Sequence, residues 1–198
     1  YVDGTLTGNV AVNGYLEGNG EITGNVTVPA FSYIYPGFGA TLHIGGNLTM
    51  SGDSLLNLDL TGTQPEVTHN RLRVTGTVDL SGSLGFYDTS GLALNDSLVL
   101  LLNDGTDPII GTFAGLPEGG GIPIGNGLAL QVTYLANGDG GAVGNDFGVT
   151  VVIDTFSSDL ALTADAAVAV DLGADIAITY TIDSPGPGLV TDGVLSIT

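Results

Sequence analysis

Three of the four side chains in this sequence that can carry positive charge near neutral pH are His69, Arg71 and Arg73, and the fourth is His43. Strand alternation sends Leu72 and Val74 inward and leaves His69, Arg71 and Arg73 in one outward row. Asp59 and Asp79, outward by their own alternation, are placed to flank it on adjoining strands. A row of this kind can grip a carboxylate or a uronate sugar. It can equally be a set of exposed cross-strand ion pairs, worth roughly 0 to 1 kcal/mol each. His43, alone in "TLHIGG", reads as a solvated strand residue.

Two further constellations bear on ligands. Asp139, Asn145 and Asp146 share the glycine-rich segment "NGDGGAVGND", residues 137–146. Calcium takes about six to eight oxygens from carboxylates, amides and carbonyls, so calcium is the cofactor in question here; an Asx-closed turn accounts for the same residues without metal. Phe31, Tyr33 and Tyr35 alternate ahead of Pro36, either as a flat sugar platform or as the packing of a corner loop. Catalysis is not expected. The chain has no Lys, no Cys and no Gly-x-Ser-x-Gly elbow, and its acids stand singly in corners such as Asn103-Asp104-Gly105, whereas polysaccharide cleavage needs clustered carboxylates and a base.

The elements that must position these residues are written as a repeat. Gly24-Asn25-Val26-Thr27-Val28 has near-copies at Gly8-Asn9-Val10-Ala11-Val12 and Gly46-Asn47-Leu48-Thr49-Met50, with a weaker one at Gly76-Thr77-Val78-Asp79-Leu80. Each alternates with period two, the mark of a half-buried strand, and the leading Gly-Asn is expected to supply backbone freedom for a corner. The copies begin at residues 8, 24, 46 and 76. Such spacing suits a structure in which each turn of chain returns the same strand to the same column, so that Val10, Val26, Leu48 and Val78 stack inward. Further strands are expected over residues 54–60, 71–75, 97–102, 128–134 and 147–153, and residues 86–156 are placed to cover the open end of the core. Thirty-three glycines among dense Thr, Val and Leu leave little room for helix.

Composition narrows the partners. A net charge of -19, from 21 acids against two arginines, repels nucleic acid and anionic lipid surfaces. The longest apolar run, residues 98–102, is too short to span a bilayer. The chain opens at Tyr1 inside the repeat pattern, which reads as an excerpt of a longer protein.

The runs "GNGEITGNVTV", "ATLHIGGNLTMSGDSLLNLDL" and "HNRLRVTGTVDLSGSL", with "LLNDGTDPIIGTFAGLPEG" as a closing unit, resemble the autotransporter-associated β-strand repeat of large bacterial surface and secreted proteins, over residues 4–153. Residues 157–198, where Gly-Asn corners give way to "DLGADIAITYTIDSPGPG", resemble the opening half of the immunoglobulin-like repeat domain of bacterial surface proteins. Its first three strands fall at residues 159–163, 174–182 and 193–198, with a turn at 184–188. The resemblance implies an all-β chain: a right-handed parallel β-helix with a β-rich C-terminal cap over residues 1–157, then a partial immunoglobulin-like β-sandwich over 158–198. It also implies an extracellular or outer-membrane-associated place at the bacterial cell surface, and a structural role as a stiff stalk or adhesin-type passenger; the partner stays open, with glycans and other surface proteins as the candidates. Glycan binding or polysaccharide cleavage on the β-helix face is the alternative.

Overall fold

The computed structural model describes residues 1–104, 107–140 and 144–155, and the backbone of two further strands, Ile176–Tyr180 and Gly193–Ile197. Every regular element among these residues is a β-strand.

The chain visits three sheets in rotation. Its first circuit is β1 (Thr5–Leu6), β2 (Val10–Ala11) and β3 (Tyr15–Glu17); its second is β4 (Glu21–Ile22), β5 (Val26–Val28) and β6 (Tyr33–Tyr35). The third is β7 (Thr41–Ile44), β8 (Leu48–Met50) and β9 (Leu55–Asp59), and the fourth is β10 (Arg71–Val74), β11 (Val78–Leu80) and β12 (Ser83–Asp88). β13 (Ser97–Asn103) and β14 (Ile110–Gly111) begin a fifth. Each strand pairs in parallel with the one three places on, giving β1-β4-β7-β10-β13 in the first sheet, β2-β5-β8-β11-β14 in the second and β3-β6-β9-β12 in the third.

The repeated strand is the second sheet. Val10 pairs with Val26, Val26 with Leu48 and Leu48 with Val78, as the spacing of the copies predicts. Val26, Leu48 and Val78 are fully buried, as are Val28, Met50 and Leu80 two residues on, while Ala11, Thr27, Thr49 and Asp79 face solvent. Each fully buried side chain of this size contributes about 1.5–3 kcal/mol, so neighbouring circuits stabilise one another chiefly through these columns.

The role of Gly-Asn differs from the expectation of backbone freedom. The connections from first to second sheet, residues 7–9, 23–25, 45–47 and 75–77, are equally long in all four circuits. Along them Asn9 Oδ1 accepts the Asn25 N–H, Asn25 Oδ1 the Asn47 N–H and Asn47 Oδ1 the Thr77 N–H, each at 2.9 Å. Of the four glycines only Gly8 has a left-handed φ, 110°. The others are required by contact: a Cβ on Gly24 would lie 2.4 Å from the Gly8 backbone, and one on Gly76 would lie 2.2 Å from Asn47 Oδ1. The motif is a stacking device in which each amide side chain satisfies a backbone donor of the next circuit. The uneven spacing of the copies arises mainly between the third sheet and the next first-sheet strand, where residues 18–20, 36–40 and 60–70 connect β3 to β4, β6 to β7 and β9 to β10.

After β13 the first sheet changes direction. β15 (Gly121–Gly125), β16 (Leu128–Ala136) and β17 (Asp146–Ile153) extend it by antiparallel pairing in the order β13-β17-β16-β15. Phe113, Tyr134 and Phe147, all buried, meet here with ring centroids 5.0–6.4 Å apart. The Tyr134 hydroxyl accepts the Phe113 N–H at 2.9 Å and donates to the Leu116 carbonyl at 2.8 Å, so its polar end is satisfied inside an apolar cluster.

The remaining strands, β18 (Ile176–Tyr180) and β19 (Gly193–Ile197), pair antiparallel with each other. They coincide with two of the three strands expected in the last forty residues; the third, at 159–163, and the turn at 184–188 lie outside the described residues.

Candidate functional site

The first sheet holds His43, Arg71 and Arg73, while His69 lies in the turn before β10 and does not join their row. Arg73 is exposed and stands in register with His43 on β7, which in turn pairs with Glu21 on β4, so Glu21, His43 and Arg73 form an outward column of alternating charge type. His43 is exposed, as its sequence context predicts. Arg71 lies one pair along, opposite Thr41. Its Nη2 donates to Glu66 Oε1 at 2.8 Å and its Nε to Thr41 Oγ1 at 3.2 Å, while Thr41 Oγ1 donates to the same Glu66 oxygen at 2.9 Å. The Arg71 and Thr41 hydrogen bonds hold the Glu66 carboxyl below the usual carboxylate range.

His69 departs from the expected outward row. It is 2% exposed, and its Nδ1 lies 3.1 Å from the Gly62 carbonyl. The physical reason is that residues 60–70 do not extend β10 backward: Leu60 and Pro65 bridge to His69, and this turn brings the imidazole to the Gly62 carbonyl. Asp59 is buried too, despite its outward parity, because Tyr35 covers it and donates its hydroxyl to Asp59 Oδ2 at 2.5 Å. Asp79 is exposed on the second sheet and does not flank Arg71 and Arg73. A shallow depression of about 470 Å3 beside the first sheet is lined by Asp3, Thr5, Asn19, Glu21 and His43.

The aromatic trio is split. Phe31 lies in the turn before β6 with a left-handed φ of 61° and is exposed. Tyr33 and Tyr35 are not corner-loop packing but the ends of β6 itself, on the outer face of the third sheet, with Ile34 inward at 0% exposure. Tyr33 pairs with Tyr15 on β3 and Tyr35 with Glu17. Tyr87 joins them from the irregularity in β12 between Phe86 and Asp88. Ring centroids lie 6.5 Å apart for Tyr15–Tyr33 and 5.2 Å for Tyr35–Tyr87, the latter edge-on at 84°. Partial burial and the neighbouring Tyr87 hydroxyl push the Tyr15 phenol up to about 12. Burial and the hydrogen bond to Asp59 raise Tyr35 as well. Tyr15 and Glu17 were legible only as a pattern: Tyr15-Leu16-Glu17 and Tyr33-Ile34-Tyr35 share an aromatic start and an inward aliphatic centre, but runs this short give no periodicity to read, and Tyr87, at the irregularity in β12, carries no such signal.

The glycine-rich segment gathers oxygens around the end of β13. Asp146 is fully buried; its Oδ1 accepts the Asn103 N–H at 2.8 Å and its Oδ2 the Gly138 N–H at 2.6 Å. Asn145, also buried, donates from Nδ2 to the Asn103 carbonyl at 2.8 Å, and Asn103 Nδ2 donates to the Asp107 carbonyl at 2.7 Å. Asp139 is exposed. Asn145 and Asp146 therefore close the junction between β13 and β17 through backbone groups, and residues 141–143 between them and Asp139 lie outside the described residues. Among the described residues, no three His, Cys, Asp or Glu side chains converge in a metal-holding group.

No family model and no curated protein matches this chain.

Proposed function

We propose that the chain is a non-catalytic structural segment of a large bacterial cell-surface or secreted protein, a stiff spacer built as a right-handed parallel β-helix. The observation that carries this reading is the unbroken register Val10–Val26–Leu48–Val78 with its asparagine ladder. Parallel pairing at about 4.8 Å per circuit makes a rod whose length scales with the number of repeats. The right hand follows the general rule for parallel crossovers.

The antiparallel strands β15 to β17 and the aromatic cluster of Phe113, Tyr134 and Phe147 act as the closing cap. A second, immunoglobulin-like module then begins near residue 158, a reading in keeping with the hairpin of β18 and β19. The side chains able to do chemistry support a structural role through the contacts they already make. His69 is held by the Gly62 carbonyl, Arg71 by Glu66 and Thr41, Asp59 by Tyr35, and Asp146 by two backbone N–H groups.

The test is antibody labelling of intact cells that produce the protein, using an antibody raised against residues 1–155. Surface signal that is removed by external protease supports the reading. Signal seen only after permeabilisation overturns it.

A further inference from the structure

The outer face of the third sheet combines features that the spacer reading does not use. Tyr15, Tyr33 and Tyr87 are 51%, 41% and 59% exposed and, with Tyr35, form an aromatic strip of two ring pairs drawn from the first, second and fourth circuits and joined by a side-chain hydrogen bond between Tyr15 and Tyr87. Scattered exposed rings are ordinary on a soluble surface, but a contiguous set is not. Glu17 stands in register with Tyr35, and Asp59 lies beneath the Tyr35 hydroxyl. The basic side chains Arg71, Arg73 and His43 belong to β10 and β7 of the first sheet, and His69 to the turn before it, so the strip has ring faces and carboxylates and no cation of its own.

That chemistry selects a class of ligand. Ring faces and carboxylates together attract a cation, through cation–π contact and charge-assisted hydrogen bonds, and the net charge of -19 repels anionic chains. β6 and β9 are paired on both sides, so the middle of the strip offers no free backbone edge for a peptide strand to join. What remains is a shallow surface whose paired rings lie 6.5 and 5.2 Å apart, drawn from β3, β6 and β12, with β9 between the last two contributing Asp59 and no ring. An extended polymer of flat-faced rings that carries an amine at each unit matches both the exposed rings and the charge.

We propose that Tyr15, Tyr33, Tyr35 and Tyr87, with Glu17, form a binding face for an amine-bearing glycan, a polymer of unacetylated amino sugars. The pyranose faces stack on the exposed tyrosines and the amines meet the ring faces and the Glu17 carboxylate. The face is distinct from the Arg71–Arg73 region, whose charge would suit the opposite kind of sugar. It does not depend on the chain being a surface spacer.

Isothermal titration of the full chain at low salt tests it, with a glucosamine oligomer as probe beside a glucose oligomer of the same linkage and length, a galacturonate oligomer and an oligolysine. Saturable binding of the glucosamine oligomer is expected, about tenfold weaker in Tyr15→Ala and in Tyr87→Ala, the scale of one lost ring contact. Glu17→Gln, which keeps the side-chain shape, should weaken it too, while Leu135→Ala, an exposed apolar residue on β16, leaves it unchanged. Equal affinity for the glucose oligomer would remove the amine from the proposal and so overturn it. Oligolysine binding as tightly, with the tyrosine variants unaffected, would reduce the effect to general attraction of polycations and overturn it as well. So would the absence of saturable binding.

Discussion

Asn25 Oδ1 lies 2.9 Å from the backbone nitrogen of Asn47, its counterpart one circuit later, and Asn25's own N–H is held in the same way by Asn9. The side chain at each corner thus completes the backbone of the next, which a turn residue serving only its own corner would not do. Asn25→Ala should cost about 0.5–1.5 kcal/mol by urea denaturation, the net worth of one such hydrogen bond. Gly46→Ala should cost more, because its Cβ would stand 2.4 Å from Asn25 Oδ1 and 2.6 Å from the Gly24 backbone. Gly52→Ala, with open space around the added carbon, should be neutral or slightly stabilising. Equal effects of the two glycine substitutions would remove stacking as the reason for the motif.

Val26 and Thr27 are adjacent residues of β5 with opposite fates, one at 0% exposure and the other in solvent. Val26→Asp puts an unpaired carboxylate into the core column and should destabilise by several kcal/mol, on the order of 3–5. Thr27→Asp should stay within about 0.5 kcal/mol of the parent. Thermal melts of the two variants read the register directly.

Stability should fall with acid in two separate windows. Burial holds the His69 imidazole below its ordinary 6.5; the Gly62 hydrogen bond opposes this, and the nearby Arg71 charge adds to it. Between that lowered value and 6.5 the unfolded chain binds more protons than the folded one, so stability is complete above 6.5 and declines as the pH drops through the folded value. Glu66, lowered by its hydrogen bonds to Arg71 and Thr41, contributes above its ordinary 4.5 and loses that contribution below it. Urea midpoints across pH 4–7.5 should show the first decline in the parent and not in His69→Gln.

Asp146 places both carboxylate oxygens on backbone N–H groups of Asn103 and Gly138. Asp146→Ala leaves those donors without their acceptor at the junction of β13 and β17 and should cost about 2–6 kcal/mol, roughly 1–3 for each of the two orphaned groups. The loss should be the same in millimolar calcium and in chelator. A calcium-dependent rise in melting temperature that disappears in Asp146→Ala would instead make the segment a metal site.

The sequence by itself determined the column of the second sheet. Gly-Asn followed by alternating apolar residues, written three times, with Gly76-Thr77 opening a weaker fourth copy, dictates that Val10, Val26, Leu48 and Val78 share a position, because a two-residue period fixes which side chains turn inward and stacking alone covers them. It also located the longer strands β9, β10, β13, β16 and β17 to within two residues at each end, since long apolar alternation survives local context. Tertiary structure decided the rest. β3, β4 and β6 are two or three residues long and are not opened by the Gly-Asn that directly precedes the equally short β2, β5 and β8, so only pairing with neighbouring circuits makes them strands. Asp59 kept its outward parity and was buried nonetheless, because a tyrosine hydroxyl from elsewhere in the chain covered it, whereas His69 lost that parity, because residues 60–70 form a turn and do not extend β10. The glycines at the corners were legible as special, but the reason was not: a steric collision with the circuit before exists only once the circuits are stacked. The tyrosine strip has the same origin, since Tyr15, Tyr33 and Tyr87 are distant in sequence and meet only because β3, β6 and β12 belong to one sheet.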